Sequence, residues 1–444
     1  MRRRVVLAAA AAILACGLVA VAALPQGKTS AWTAPSSEQV NAIYGDVEAL
    51  YFDLHRNPEL AFHEERTAAK LAERVKALGF EVTAGVGGTG IVAVLRNGAG
   101  PTVMLRTELD ALPVQEKTGL AFASTVSFKT DSGETVPVMH ACGHDIHMSA
   151  WVGTARLMAE NRQRWHGTLV LVGQPAEEIV SGAAAMLKDG LFTRFPKPDF
   201  ALSLHDESSL AAGVVGFHAG YFRASADSVD ITIYGRGGHG AAPQDTVDPI
   251  VIAARTVLAL QSIVSRENNP MDPAVITVGT IRGGTKNNII PEEVKLQLTV
   301  RAFSPEVRKR LLAAIERTAK GEAMAGGAPR EPLVKIDPGT DVVYNDPGLT
   351  ARVVASLRKV MGAQNVLEMP AKMTSEDFSQ YGLAGVPSLL LHFGAVDPAK
   401  LAAAKQSGTP LPGPHSPQWA PEREPSIKTA IVVETTALLE LLAH

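Results

Sequence analysis

The sequence predicts an α/β fold, a helix-covered sheet interrupted by a smaller α+β domain of split-βαβ, ferredoxin-like form. Three observations carry this reading. Strand and helix patterns alternate from residue 37 to about 204. Near Tyr221 the order changes to strand, helix, two strands, helix, strand. Beyond residue 340 it returns to helix, strand, helix. The first block has no natural ending at Phe217, so one domain inserted into another is the simplest organisation. Residues 36–220 and 337–444 then form the main domain, and 221–336 the insert.

Each element has its own signal. Apolar residues at helical spacing predict helices over 37–56 and 64–78, broken between by Pro58 and ended by Gly79. Apolar runs at 91–96 and 102–106 predict strands, followed by a helix over 145–161, a strand at 168–173, a helix at 182–190 and a strand at 200–204. In the insert, 226–234 alternates as a strand, 247–266 is helical, and 274–281 and 293–303 are strands. Ser304 caps a helix running to about 324, with Pro305 in its first turn, and a strand follows near 333–336. Gly326-Gly327 and the stretch from Pro329 to Pro338 lead out of the insert. A helix at 347–361, a strand at 387–393 and a helix at 425–442 complete the chain.

Composition narrows the function. A charged fraction of 20% and an apolar fraction of 46% are those of a globular protein. The net charge of -3 leaves no basic footprint for nucleic acid. Arg2, Arg3 and Arg4 precede an uncharged run from Val5 to Leu24, the pattern of a secretory signal, with Ala20-Val21-Ala22 placing cleavage before Ala23. Residues 1–23 are therefore expected to export the chain to the periplasm or beyond. Retention as an anchor helix is one alternative, and lipidation at the imperfect box Ile13-Leu14-Ala15-Cys16 is another. Outside that segment Cys142 is the only cysteine, so the mature chain has no internal disulfide.

Four segments concentrate chemistry. Met139-His140-Ala141-Cys142-Gly143-His144-Asp145-Ile146-His147 holds a thiol and an imidazole two residues apart, a pair suited to zinc, manganese, nickel or cobalt. A helix start capped by Asp145 explains the same residues without a metal. Gly173-Gln174-Pro175-Ala176-Glu177-Glu178 ends an apolar strand in two carboxylates. Pro175 stops the ladder, so a loop at the sheet's edge can present both, one as ligand and one as base; an exposed acidic turn is the plainer reading. His205 follows the apolar run Ala201–Leu204 at a strand end, where open α/β sheets bind ligands. His415 sits in the rigid loop Gly413-Pro414-His415-Ser416-Pro417. Two matches to the dinucleotide pattern fail. Gly85–Gly90 is followed by a strand, and Gly235–Gly240 lacks the later acidic residue that would hold a ribose. No Gly-x-Ser-x-Gly elbow and no His-Glu-x-x-His helix is present.

Taken in order, these motifs resemble those of the M20 metallopeptidases, in their aminoacylase, hippurate hydrolase and auxin-conjugate amidohydrolase branch. The resemblance spans roughly 40–440. Besides the segments above it rests on His55-Arg56-Asn57-Pro58-Glu59-Leu60, Asp110-Ala111-Leu112-Pro113, Gly237-Gly238-His239, Asn288-Ile289-Ile290-Pro291 and Ser375-Glu376-Asp377-Phe378. It implies two divalent ions (Mn, Zn, Ni or Co) on Cys142, His144, Glu178, His205 and His415, with Glu177 as general base and Asp110 orienting a metal-site residue. It implies that the insert is a lid that also forms a homodimer, with His239 reaching the partner's site and Asn288 and Arg301 holding substrate. The implied reaction is hydrolysis of the amide bond in N-acyl amino acids or similar small conjugates. A dipeptidase or carboxypeptidase on the same scaffold and a non-catalytic binding protein are the alternatives. Two positions depart from the branch pattern. Glu108 stands where a shorter acid is usual, and Asp206 follows His205 where a small apolar residue is usual.

Overall fold

In the computed structural model, residues 33–442 are described except 131. The segment expected to direct export, residues 1–23, lies outside the described residues. Two β-sheets organise the rest. The larger has eight strands, in the order Glu81–Val86, Gly90–Asn97, Gly167–Gln174, Thr102–Glu108, Phe200–Ala211, Ser388–Val396, Val215–Phe217 and Val366–Glu368. Its central ladders are parallel: Thr102–Glu108 pairs with Gly167–Gln174 and Phe200–Ala211, which pairs with Ser388–Val396. The outer pairs through Gly90–Asn97 are antiparallel, so the sheet is mixed.

The central strands are buried along nearly their whole length, which is why they read as unbroken apolar runs. Helices His144–Glu160, Ser37–Arg56 and Arg423–Leu442 contribute to one apolar core against this sheet through Trp151, Leu50, Leu54 and Ile431. Met104, Val170, Val172, Met186, Phe378 and Leu390 belong to a second apolar cluster.

The second sheet has four antiparallel strands, ordered Ala274–Gly283, Glu293–Ala302, Ser225–Tyr234 and Leu333–Thr340. In chain order this is βαββαβ, the split arrangement read from the sequence. Helices Pro249–Ser262 and Pro305–Ala325 share a separate core with it, built on Ile231, Ile233, Ile252, Leu296, Leu311 and Ile315. Ser304 caps the second helix, accepting from the Val307 N–H, with Pro305 in the first turn.

Three local readings need correction. The helix after Cys142 begins at His144, and its N-cap is Gly143 at φ 75°, not Asp145. Asp145 lies in the first turn and accepts from the Ile146 N–H at 2.9 Å. The helix expected over 247–266 gives way after Ser262 to a wider π turn, Ile263–Glu267. Finally, Phe200–Ala211 runs well past residue 204, so His205 is not at the end of its own strand. It does lie beyond its neighbour, because pairing with Thr102–Glu108 stops at Ser203.

Candidate active site

Cys142, His144, Glu178, His205 and His415 come together, and so does Glu177. The ligand-type atoms form two triads that share Cys142. One is Cys142, His144 and His205; the other is Cys142, Glu178 and His415; within each, the atoms lie within 4.8 Å of one another. His144 Nε2 is 3.9 Å from Glu178 Oε1 and 4.0 Å from Glu177 Oε2. Cys142 Sγ is 3.5 Å from His205 Nε2, and His415 Nε2 is 3.3 Å from Glu178 Oε2.

Backbone groups aim the two buried imidazoles. His144 Nδ1 donates to the Asp110 carbonyl at 2.7 Å, and His205 Nδ1 to the Asp206 carbonyl at 2.8 Å. Each hydrogen bond fixes the tautomer and leaves Nε2 as a lone-pair donor facing the cluster. Asp110 also accepts from the Glu178 N–H at 2.9 Å, so one residue positions both His144 and the carboxylate loop.

That loop is braced on both sides. The ladder stops at Gln174, before Pro175, and Ala176 takes φ 52°. Glu64 Oε1 accepts from the Ala176 N–H at 2.8 Å, while the Val180 N–H returns to the Glu177 carbonyl at 2.7 Å. Glu177 and Glu178 therefore sit on a turn at the end of an interior strand, not at the sheet's edge. His415 also has a left-handed backbone, φ 69°, and its N–H donates to Ala141, next to Cys142.

The donor set fits divalent cations. His144 Nε2 and Glu178 Oε1 are buried without a hydrogen-bond partner among the described residues. Orphans of this kind are costly unless something else satisfies them. Burial and the Glu178 charge push the Cys142 thiol well above its usual range. Two neighbouring cations would reverse that push and give the thiolate that ligation requires. Burial, then Glu376 and Glu178, likewise hold the Glu177 carboxyl well above the ordinary carboxylate value.

Both unusual acids belong to the support of this cluster. Asp206 accepts from Trp419 Nε1 at 3.0 Å and lies 3.0 Å from His205 Nδ1. Glu108 bonds His147 Nδ1 at 3.0 Å and pairs with Arg106, while His147 Nε2 accepts from the Asp206 N–H at 2.9 Å. Glu108 and Asp206 are thus joined through one imidazole, and the extra methylene of Glu108 is used in reaching it. His55, from the first motif, bonds Asp145 at 2.6 Å and Glu116 at 3.2 Å. Burial works against its charge, but those two carboxylates raise it to about 9, so it braces Asp145 as a cation.

A cavity of about 540 Å³ opens over the cluster, lined by Cys142, Glu177, Glu178, His205 and His415. Arg301 of the insert lines it too, donating to Ser375 Oγ at 2.7 Å. His239 and Asn288 do not. They lie on and beside the two-stranded ladder Gly238–His239 with Ile289–Ile290, where His239 is exposed. Glu64, Arg223 and Lys372 take part in or around the site without having been singled out from the sequence, and His147 was read only as the last residue of the Cys142 segment. Of the first three, only Glu64, close behind the Pro58-Glu59-Leu60 motif, carried a positional hint.

Residues 104–408 match Peptidase_M20, peptidase family M20/M25/M40. The chain is 35% identical over 346 residues to the N-acetyl-L-cysteine deacetylase of Bacillus subtilis, covering 77% of this chain and 78% of that one. It is 39% identical over 284 residues to the hippurate hydrolase of Campylobacter jejuni, covering 64% and 71% respectively. A solved Bacillus subtilis dinuclear metal binding peptidase from the M20 family superposes with TM-score 0.72 at 26% identity, covering 90% of this chain and 99% of that chain. The match takes in most of the large sheet and the whole insert, and the shared-cysteine triads supply the donors a metal centre needs; the chain belongs to peptidase family M20/M25/M40 and is a metal-dependent hydrolytic enzyme.

Proposed function

We propose that this enzyme hydrolyses the amide bond of N-acyl amino acids or similar small conjugates, with Glu177 as general base. The observation that carries the proposal is the pair of triads sharing Cys142, with the Glu177 carboxylate beside them, 4.0 Å from His144 Nε2. The names of the relatives, a deacetylase and a hippurate hydrolase, point to the same bond. Cys142, His144 and His205 would hold one divalent ion and Cys142, Glu178 and His415 the other, with manganese, zinc, nickel or cobalt suited to the donors. When bound, such ions lower the pKa of water and polarise a carbonyl.

The protein's own part is positioning and proton transfer. Asp110 holds His144 and the Glu178 loop in register. Glu177, kept basic by burial, takes a proton from the attacking water and passes it to the departing nitrogen, which leaves as an amine. Arg301 meets the substrate's carboxylate from the insert. His239 and Asn288 would act on the site of a second subunit. In support of a homodimer, the insert's helix Pro249–Ser262 leaves Ile250, Val251 and Leu258 exposed. Export to the periplasm or beyond completes the reading, resting on the N-terminal pattern alone.

Separating the two glutamates tests it. Glu177→Gln keeps shape and hydrogen bonding but is not a base, so it should retain its metals and lose on the order of 10²–10⁴ in turnover. Glu178→Gln should arrive depleted of metal by elemental analysis. Full activity in Glu177→Gln would remove the assignment, and the reverse metal pattern would exchange the two roles.

A further inference from the structure

Besides the ligand-type residues, the same cavity has a cationic group in its lining. Arg223, Arg301, Lys372, Thr374 and Ser375 all line it. Arg223 Nη1 donates to Thr374 Oγ1, and Arg301 Nη1 to Ser375 Oγ at 2.7 Å. Those hydroxyls belong to consecutive residues, whose Cα atoms are about 3.8 Å apart. Two guanidinium groups from different sheets, on strands Gly220–Arg223 and Glu293–Ala302, are thus anchored to one short segment and line the same cavity.

The carboxylates Glu376 and Glu207 of the same lining are paired with other cations, Arg106 and Lys372. Lys372 has its counter-ion in Glu207, whose Oε2 also receives His392 Nδ1 at 3.0 Å. The other ring nitrogen of His392 is then free to accept from Arg223 Nη2, at 2.9 Å. Burial and the Arg223 charge pull His392 down to about 3, so it is neutral. Arg223 is therefore satisfied by a neutral imidazole and a neutral hydroxyl. Arg223 is only 8% exposed, and its Nε has no hydrogen-bond partner among the described residues. Among the described residues neither Arg223 nor Arg301 is in an ion pair with a carboxylate; their hydrogen bonds go to His392, Thr374 and Ser375. Burying a cation such as Arg223 without an anion is costly, and a bound anion offsets that cost. Val180, Pro414 and Cys142 are the apolar members of this cavity's lining, and its other members are polar or charged.

We propose that Arg223 and Arg301 form a dicarboxylate subsite, and that the substrates are acidic amino acids carrying a small N-acyl group. Arg301 takes the α-carboxylate and Arg223 the side-chain carboxylate of an N-acylated aspartate or glutamate. This rests on the amide-hydrolysis reading and deepens it. The rival is a strut. Arg223 also forms an isolated β-bridge with Lys372 and would then only tie its strand to the 372–374 segment.

The test uses the metal-loaded full chain. N-acetyl-L-glutamate and N-acetyl-L-alanine are compared by kcat/KM, and glutarate and butyrate by calorimetric binding. Wild type should favour the glutamate substrate, and glutarate over butyrate, by about 10- to 100-fold, the range of a charge-assisted contact. Arg223→Met should collapse both ratios, mainly through KM, and Arg223→Lys should restore part of each. A strut predicts instead that both substrates fall together with the ratios unchanged, which would overturn the subsite. Equal turnover of both substrates by wild type would also overturn it while leaving amide hydrolysis standing. If neither substrate turned over but glutarate bound with an Arg223-dependent preference, the subsite would stand and the amide reading would fall. Glutarate binding no tighter than butyrate removes the subsite, whatever the turnover.

Discussion

Gly143 and Asp206 occupy each other's space. Gly143 has φ 75°, and a Cβ there would run into the Asp206 carboxylate. The glycine between Cys142 and His144 thus permits both the left-handed turn and the close approach of a supporting acid. Gly143→Ala should lower both metal content and turnover, with about 1–3 kcal/mol lost from stability through the strained φ alone. Metal analysis and urea unfolding of the purified variant would check this. Glu434 shows a different cost. It is buried on the C-terminal helix, accepts from Thr154 Oγ1 at 2.7 Å, and burial lifts its carboxyl to about 8 from an ordinary 4.5. The folded chain holds a proton there that the unfolded chain releases. This group's contribution is therefore fully favourable below about 4.5 and is lost as pH rises toward about 8. Glu434→Gln should remove that slope, and melting curves should show its Tm advantage growing between pH 5 and pH 8. An advantage that stays constant with pH would contradict the assignment.

At the scale of elements, the strand Thr102–Glu108 does more than pair. It delivers Arg106 into a buried cluster with Glu376 at 2.8 Å, Asp377 at 3.0 Å and Gln174 at 2.9 Å, besides Glu108. Arg106→Met would leave three buried acids without their cation, a change worth about 3–5 kcal/mol. Arg66→Met, breaking the half-exposed pair with Asp53, should cost no more than ~1 kcal/mol. Denaturant titrations of the two variants compare them directly; equal losses would refute the ranking. Elements of this kind were readable where their signal is local. Helix Ser37–Arg56, strand Gly167–Gln174 and helix Pro347–Met361 lie where the periodicity puts them. The strands Glu81–Val86, Val215–Phe217 and Val366–Glu368 were not, being short or half-exposed and defined by the neighbour they pair with. The cationic group was hidden for a related reason. Arg223, Lys372 and Glu207 are single charges with no spacing to mark them, and only tertiary pairing gathers them. Cys142, His144, Glu177 and Glu178 could be read because each sits in a contiguous motif.

For the whole molecule, the site joins segments from Cys142 to His415. Cations on both triads would bind the folded chain and not the unfolded one, and so stabilise it by mass action, about 2.7 kcal/mol at a hundredfold excess over Kd. Chelation should therefore lower the Tm of the wild type, and lower that of Glu178→Gln much less. A wild-type Tm indifferent to chelator would mean that the triads do not tie these segments together through metal. The order of the two sheets could be anticipated only as a class, since strand order depends on crossovers that no local pattern records.

Because Cys142 belongs to both triads, harm at that atom is not graded. One alkylation, or one oxygen added to the sulfur, withdraws a donor from both groups at once. Partial damage to a sample would then give a mixture of intact and disabled molecules rather than a population of half-working ones. The sequence has just one other cysteine, Cys16, so once Cys16 is replaced a thiol titration becomes a census of competent enzyme.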